Sequence, residues 1–213
     1  PLDPARQASL YARAVRLHWA RREPVFAAGQ PARHVYNLTE GMVALSRSLA
    51  DGRRQIFGFL LPGDFIGLEA GDAYGCDAET LSDAKACRFD RATFDAFLRD
   101  NPDVALGLVR AASSELAQAR QHELLLGRKT AVERVASFLL DLRNRAGERH
   151  LRTQPLSLPM TRSEIADYTG LTIETVSRVF GRLKSQGTID LVDATAVRVL
   201  DEARLKRLSE GAD

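Results

Sequence analysis

The feature that most constrains this chain lies between Thr161 and Leu183, where two short helical patterns flank a single glycine. Thr161-Arg-Ser-Glu164 is a capping box, in which the threonine hydroxyl accepts from the backbone three residues on and the glutamate reaches back to the threonine N–H. Counting from Arg162, Ile165 is fourth, Ala166 fifth, Gly170 ninth, Val176 fifteenth and Val179 eighteenth. Two helices that cross tightly need a small residue where they touch, a residue tolerant of positive φ at the turn, and apolar anchors on the second helix. Every one of these positions is suitably filled. Thr172 can cap the second helix, which turns Val176, Val179, Phe180 and Leu183 inward and Glu174, Ser177 and Arg178 outward.

Those three outward residue types suit the edges of DNA bases. Arginine bonds guanine O6 and N7 together, glutamate accepts from the amino group of cytosine or adenine, and serine approaches a thymine edge. A polar face of this kind is also compatible with simple solvation, but the complete helix-turn-helix spacing is far more specific than a charge pattern. Arg162, Ser163, Thr172, Thr175, Arg182 and Lys184 are placed to meet phosphates, which fix register without reading sequence. Gly187 to Val192, the turn Asp193-Ala194-Thr195 and Ala196 to Leu200 complete a wing. Overall charge adds little, because 30 basic residues nearly balance 28 acidic ones. Residues 128–213 hold 15 basic and 12 acidic groups, against 15 and 16 in residues 1–127, so the positive excess lies on the motif's side.

Upstream, from about Glu23 to Phe97, short β-type runs alternate with turns such as Glu40-Gly41, Asp51-Gly52 and Pro62-Gly63-Asp64. Val35–Leu38, Met42–Leu49, Gln55–Leu60 and Lys85–Phe89 are the clearest strands, and their spacing predicts an antiparallel barrel or roll. After Asn101-Pro102 a long helix is expected to reach Leu126, ahead of Gly127. Val109, Ala112, Leu116, Ala119 and Glu123 recur on it at alternating spacings of three and four, a narrow seam through which two helices can approach as in a coiled coil. Packing of that seam on the chain's own barrel is the alternative, but Val104, Leu108 and Ala111 already supply a face for the barrel. A further helix starts at the Thr130/Glu133 capping box and carries Val135, Phe138, Leu139 and Leu142, while Gly147–Pro159 reads as a linker or short hairpin. The expected organisation is therefore α+β: an N-terminal antiparallel β-roll over 1–101, a dimerisation helix over 102–127 and a C-terminal winged helix-turn-helix over 128–213.

With these pieces in place, the chain resembles the Crp/Fnr superfamily of transcription regulators along its whole length. Leu61-Pro-Gly-Asp-Phe-Ile-Gly67, His122-Glu-Leu-Leu-Leu-Gly-Arg128 and Gly170-Leu-Thr-Ile-Glu-Thr-Val-Ser-Arg178 are most similar to the FixK and FnrN branch. Glu174, Ser177 and Arg178 fill that branch's Glu-x-x-Ser-Arg reading motif. The resemblance implies a β-roll like those that bind cyclic nucleotides, and a cytoplasmic homodimer on double-stranded DNA bearing a palindrome of TTGA-like and TCAA-like half-sites. It also implies contact with RNA polymerase, activation, and control of genes for low-oxygen respiration or nitrogen metabolism.

Two expectations about sensing follow from departures within the resemblance. Members that bind cyclic nucleotides have a Gly-Glu pair followed by Arg-Ser or Arg-Thr around the cyclic phosphate. Here Glu69 is displaced after Gly67-Leu68, and Asp77 and Ala78 occupy the Arg-Ser positions. A carboxylate facing a phosphate without a metal is repulsive, so no cyclic nucleotide is expected. Cys87 matches the internal cysteine that ligates the iron-sulfur cluster of oxygen-sensing relatives, yet residues 1–30 contain no cysteine for the other ligands. A buried structural Cys87 is expected, with a cluster only in a form carrying further cysteines upstream. Cys76, beside Gly75, is expected in a loop, where an exposed thiol is open to oxidation, although most loop cysteines have ordinary pKa values and no role.

Rival classes fare poorly. A cupin-like metalloenzyme on a similar roll needs clustered histidines, whereas His18, His34, His122 and His150 are dispersed. No zinc knuckle, Ser/His/Asp signature or phosphate-cradling glycine loop is evident, so neither a metal site nor a catalytic one is expected. A binding module whose helix-turn-helix only packs on a partner would lack salt-sensitive affinity for DNA. No apolar run approaches the length of about eighteen residues that a spanning helix needs.

Overall fold

The computed structural model describes residues 10–68 and 71–212. They form two compact units. One contains the described residues up to Arg47 together with Gly58–Ala119, and the other contains Ser48–Phe57 together with the described residues from Arg120 onward.

The expected antiparallel roll is built from β1 (Val15–Trp19), β2 (Pro24–Phe26), β3 (His34–Glu40), β4 (Val43–Ser48), β5 (Arg54–Leu60), β6 (Phe65–Ile66), β7 (Asp77–Thr80) and β8 (Ala84–Asp90), all in the first unit except Ser48 of β4 and residues 54–57 of β5. They make two four-stranded sheets, ordered β1-β8-β3-β6 and β2-β7-β4-β5. Strand β8 is central to the first sheet, pairing Trp19 with Ala84 on one side and Asn37 with Cys87 on the other. Successive side chains on a strand face opposite ways. Ala84 and Ala86 therefore join Phe26, Tyr36, Leu38 and Tyr74 inside the roll, while Cys87 and Phe89 lie on the other face with Leu10, Val35 and Phe94.

Phe94 belongs to a helix that the β-type pattern through Phe97 obscures. Helix α1 (Arg91–Asp100) starts where Asp90 accepts from the Thr93 N–H, and it packs Phe94, Phe97 and Leu98 against the sheet. Strand β1 is a second addition, ahead of the expected start at Glu23. Helix α2 (Pro102–Arg128) opens on a proline at its first position, where the missing N–H costs nothing. It continues through Gly127 instead of ending before it. The face it gives to the roll also differs from expectation: Val104, Ala105 and Leu108 are half-buried, whereas Ala111 is exposed.

In the second unit, α3 (Ala131–Glu148) begins at the Thr130/Glu133 capping box, with both reciprocal bonds made. It buries Val135, Phe138, Leu139 and Leu142. Against it pack α4 (Arg162–Thr169), α5 (Ile173–Ser185) and α6 (Glu202–Glu210), the last placing Leu205 and Leu208 in the core and pairing Glu202 with Arg143. Of the two readings of Gly147–Pro159, a short hairpin is nearer the structure than a plain linker: Thr153 bridges Leu156, and β9 (Leu156–Ser157) pairs with β11 (Ala196–Val199), which pairs in turn with β10 (Ile189–Asp193). The wing is thus three-stranded.

Candidate nucleic-acid interface

Helix α4 is held at its start by the second capping box. The Thr161 N–H donates to Glu164 Oε2 at 2.7 Å, and the Glu164 N–H donates to Thr161 Oγ1 at 3.2 Å. These capping bonds give the buried Glu164 carboxylate hydrogen-bond partners at the helix start. At the other end Gly170 adopts the left-handed conformation, φ 63°, and a Cβ in its place would lie 3.0 Å from Leu126 Cδ2 and 3.2 Å from Arg134 Nη1. Both conformation and space therefore require glycine at the turn. Helix α5 starts two residues later with Thr172 as its cap, its hydroxyl accepting from the Thr175 N–H at 3.2 Å.

The orientation of α5 follows from its buried side, where Val176, Val179, Phe180 and Leu183 are almost fully removed from solvent. Residues three and four apart share a helix face, so Glu174, Ser177 and Arg178 project together on the opposite, exposed side. Arg182 lies one turn beyond Arg178, and Lys184 two turns beyond Ser177; both are exposed in the last turn. Thr175 is half-buried, and its hydroxyl accepts from Arg178 Nη2 at 3.3 Å while bonding Thr172 Oγ1 at 3.1 Å. The arginine is thereby steadied along the helix. The Glu174 carboxyl is held below the usual carboxylate range by its own backbone N–H and by the Thr172 hydroxyl. It is an ionised acceptor at neutral pH, the state in which it can accept a hydrogen bond from a base amino group.

Of the residues expected at phosphates, Ser163 is exposed at the first turn of α4. Arg162 is placed differently from the others: it is half-buried, with its guanidinium 3.7 Å above the Phe180 ring, and burial lowers its pKa from the ordinary arginine value. A stacked guanidinium keeps its N–H donors in the plane of the fork, so this arginine pins α4 to α5 while its edge still offers donors. On α2, Val109, Ala112, Leu116, Ala119 and Glu123 are all exposed, and Leu106 and Leu124, which the seam did not include, extend the apolar stripe. More than half the surface of Val109 and Leu116 is open to solvent.

The roll's interior bears on the sensing questions. Asp77 spends its carboxylate on the Ala28 N–H at 2.8 Å, and Ala78 beside it is buried and offers no side-chain donor. The Phe26 and Tyr74 rings stack 3.7 Å apart, and the Tyr74 hydroxyl donates to the His34 carbonyl at 2.8 Å. These residues do not fit a cyclic phosphate, while Glu69 lies outside the described residues. Cys76 lies in the bend ahead of β7, as a loop residue, but its exposure is corrected: the side chain is buried in the roll's core. Cys87 is buried as expected, and removal from water pushes its thiol pKa up despite the opposing charge of Arg16. A raised pKa keeps this thiol protonated and slow to react. Among the described residues, no group of three or more His, Cys, Asp or Glu side chains is placed to hold a metal ion.

Comparison with known proteins agrees with this geometry. Residues 133–208 match the Crp-like helix-turn-helix domain, and residues 16–101 match the cyclic nucleotide-binding domain. The nitrogen fixation regulation protein FixK of Bradyrhizobium diazoefficiens is 40% identical over 91% of this chain and 81% of its own length. The transcriptional activatory protein AadR of Rhodopseudomonas palustris is 40% identical over 98% of this chain and 87% of its own. Among solved structures, FixK2 from Bradyrhizobium japonicum superposes with a TM-score of 0.85 at 37% identity, covering 92% of this chain and 96% of that one. No helix among the described residues is long and apolar enough to cross a membrane. A β-roll, a long helix and a winged helix-turn-helix, matched over most of their length by regulators, mean that the chain belongs to the Crp/Fnr family of DNA-binding transcription regulators, on its FixK-like side, and is not an enzyme.

Proposed function

We propose that this protein is a cytoplasmic homodimer that reads a TTGA-N6-TCAA-like palindrome and activates transcription by contacting RNA polymerase. The observation that carries this reading is the exposed trio Glu174, Ser177 and Arg178 on α5, with its arginine steadied by Thr175. Support for the dimer comes from the exposed stripe Val109, Ala112, Leu116 and Ala119, whose small residues permit close approach of a second copy of α2. A two-fold dimer presents two reading helices one helical turn apart, the symmetry of a palindrome. A relative named for nitrogen fixation regulation supports targets in nitrogen metabolism, and one named as a transcriptional activatory protein supports activation. Neither a cyclic nucleotide nor an iron-sulfur cluster is part of the proposal. Asp77 and Ala78, the aromatic filling of the roll and the two buried thiols support its omission.

Fluorescence anisotropy of the purified protein, in air and without effector, tests it on a TTGA-N6-TCAA duplex and a scrambled control at two salt concentrations. Tight, selective and salt-sensitive binding is expected. Selectivity that is absent in air and regained after anaerobic reconstitution with iron and sulfide would favour an oxygen-sensing regulator instead.

A further inference from the structure

The last four carbonyls of a helix have no partner within it. In α4, however, each carbonyl from Ile165 to Gly170 has a donor. The Thr169 hydroxyl takes Ile165 O at 2.7 Å, and the turn amides of Gly170 and Leu171 take Ala166 O. The rest are met by side chains from outside the motif. Gln55 Nε2 donates to Asp167 O at 2.6 Å, and His122 Nε2 meets Tyr168 O at 2.8 Å. Arg134 Nη1 donates to Thr169 O at 3.0 Å and to Gly170 O at 3.2 Å. The same arginine donates through Nη2 to Leu126 O and through Nε to Lys129 O, tying the end of α2, the segment before α3 and the turn to one planar fork.

We propose that His122 and Arg134, with Gln55 beside them, are positioning residues for DNA reading: they fix the carbonyl end of α4 and hence the direction in which α5 leaves the turn. None of them lies on the reading face. The inference rests on the DNA-binding reading above and adds to it which groups outside the motif set the aim of Arg178. His122 separates this role from mere packing. Its ring also stacks on Tyr168, centroids 4.2 Å apart and 14° from parallel, so donor and ring are distinct contributions of one side chain. Because the partner is a carbonyl, Nε2 must carry the proton.

His122→Phe keeps a ring for the stack and removes the donor, whereas His122→Gln keeps a donor at a similar reach and removes the ring. Anisotropy on the palindromic and scrambled duplexes is to be measured for both, alongside amide hydrogen exchange at Gly170 and Leu171. His122→Phe is expected to weaken palindrome binding roughly fivefold to tenfold and to speed exchange at those amides, the scale of one lost bond. His122→Gln is expected to stay within about twofold of the parent in both readouts. The reverse ranking, with Phe benign and Gln damaging, would overturn the proposal in favour of stacking, and so would two variants that both behave like the parent. Arg134→Gln adds a larger loss in the same direction. Should the parent itself not distinguish the duplexes, the palindrome reading fails, and hydrogen exchange alone decides whether these side chains hold the turn.

Discussion

In the roll, the strand that would present ligand-binding side chains carries Asp77, engaged with the Ala28 N–H, and Ala78, buried beside stacked aromatic rings. In the winged helix, α5 buries four apolar side chains and leaves Glu174, Ser177 and Arg178 in solvent. Both halves match their family domains. A fold is kept by its buried positions, whereas a function is kept only if particular polar groups stay exposed and correctly placed. In the first half the expected Arg-Ser positions hold Asp77 and Ala78, whereas in the second the expected reading residues are exposed. Three single substitutions, one ligand and one double variant test that contrast.

The largest effect is expected at Phe180, fully buried at the crossing of α4 and α5 and covered by the Arg162 guanidinium. Phe180→Ala should cost about 3 to 5 kcal/mol of stability in the second unit, through lost burial and the cavity left behind. Chemical denaturation measures it, and selective binding should vanish with it. A variant that kept both stability and selectivity would mean that α5 is not held by its buried face.

Arg178→Ala comes next and separates fold from function. The side chain is exposed, so the denaturation midpoint should stay put while discrimination falls by about 1 to 3 kcal/mol at one guanine per half-site. Anisotropy with that base pair substituted checks it. Unchanged preference for the guanine would move base reading to another residue.

Sequence pattern announced the winged helix much better than the roll, and the reasons are local against nonlocal determination. Capping boxes, the positive φ of Gly170 and the inward face of α5 depend on residues within four positions of one another, so all were legible. Helix α1 was hidden because ten residues following a strand, with only Phe94 fully buried, look like a continuation of it. Strand β1 is mostly exposed, and β9 is two residues long, so neither has an alternation to detect. The burial of Cys76 and the stacking of Arg162 on Phe180 are set by chain segments distant in sequence. The same holds for the donors that close α4, since Gln55 lies 112 positions from its acceptor.

Cys87→Ser sharpens the comparison from the roll's side. The thiol sits among Leu10, Val35, Phe89 and Phe94, where a hydroxyl is poorly solvated. The first unit should lose about 1 kcal/mol, at the low end of the cost of a buried hydroxyl, with selectivity in air unchanged. Loss of selectivity without loss of stability would instead give this thiol a signalling role, contrary to its raised pKa.

The smallest effect is expected from cyclic AMP or cyclic GMP, and its smallness is informative. A ligand that binds only the folded state at about one hundred times its Kd stabilises it by about 2.7 kcal/mol, enough to move a melting midpoint by several degrees. Here Asp77 stands where the resemblance puts the arginine that meets a cyclic phosphate, and the stacked Phe26 and Tyr74 rings occupy the core of the roll. Both terms oppose binding, so at millimolar nucleotide neither the melting midpoint nor the affinity for the palindrome should change. A midpoint raised by several degrees would show that the roll can open and supply donors elsewhere, and the contrast between the two halves would collapse. Asp77→Arg combined with Ala78→Ser restores charge and hydroxyl but leaves the rings in place. If that variant also ignores the nucleotide, the aromatic filling excludes it on its own; if it responds, the missing phosphate donors were the whole difference.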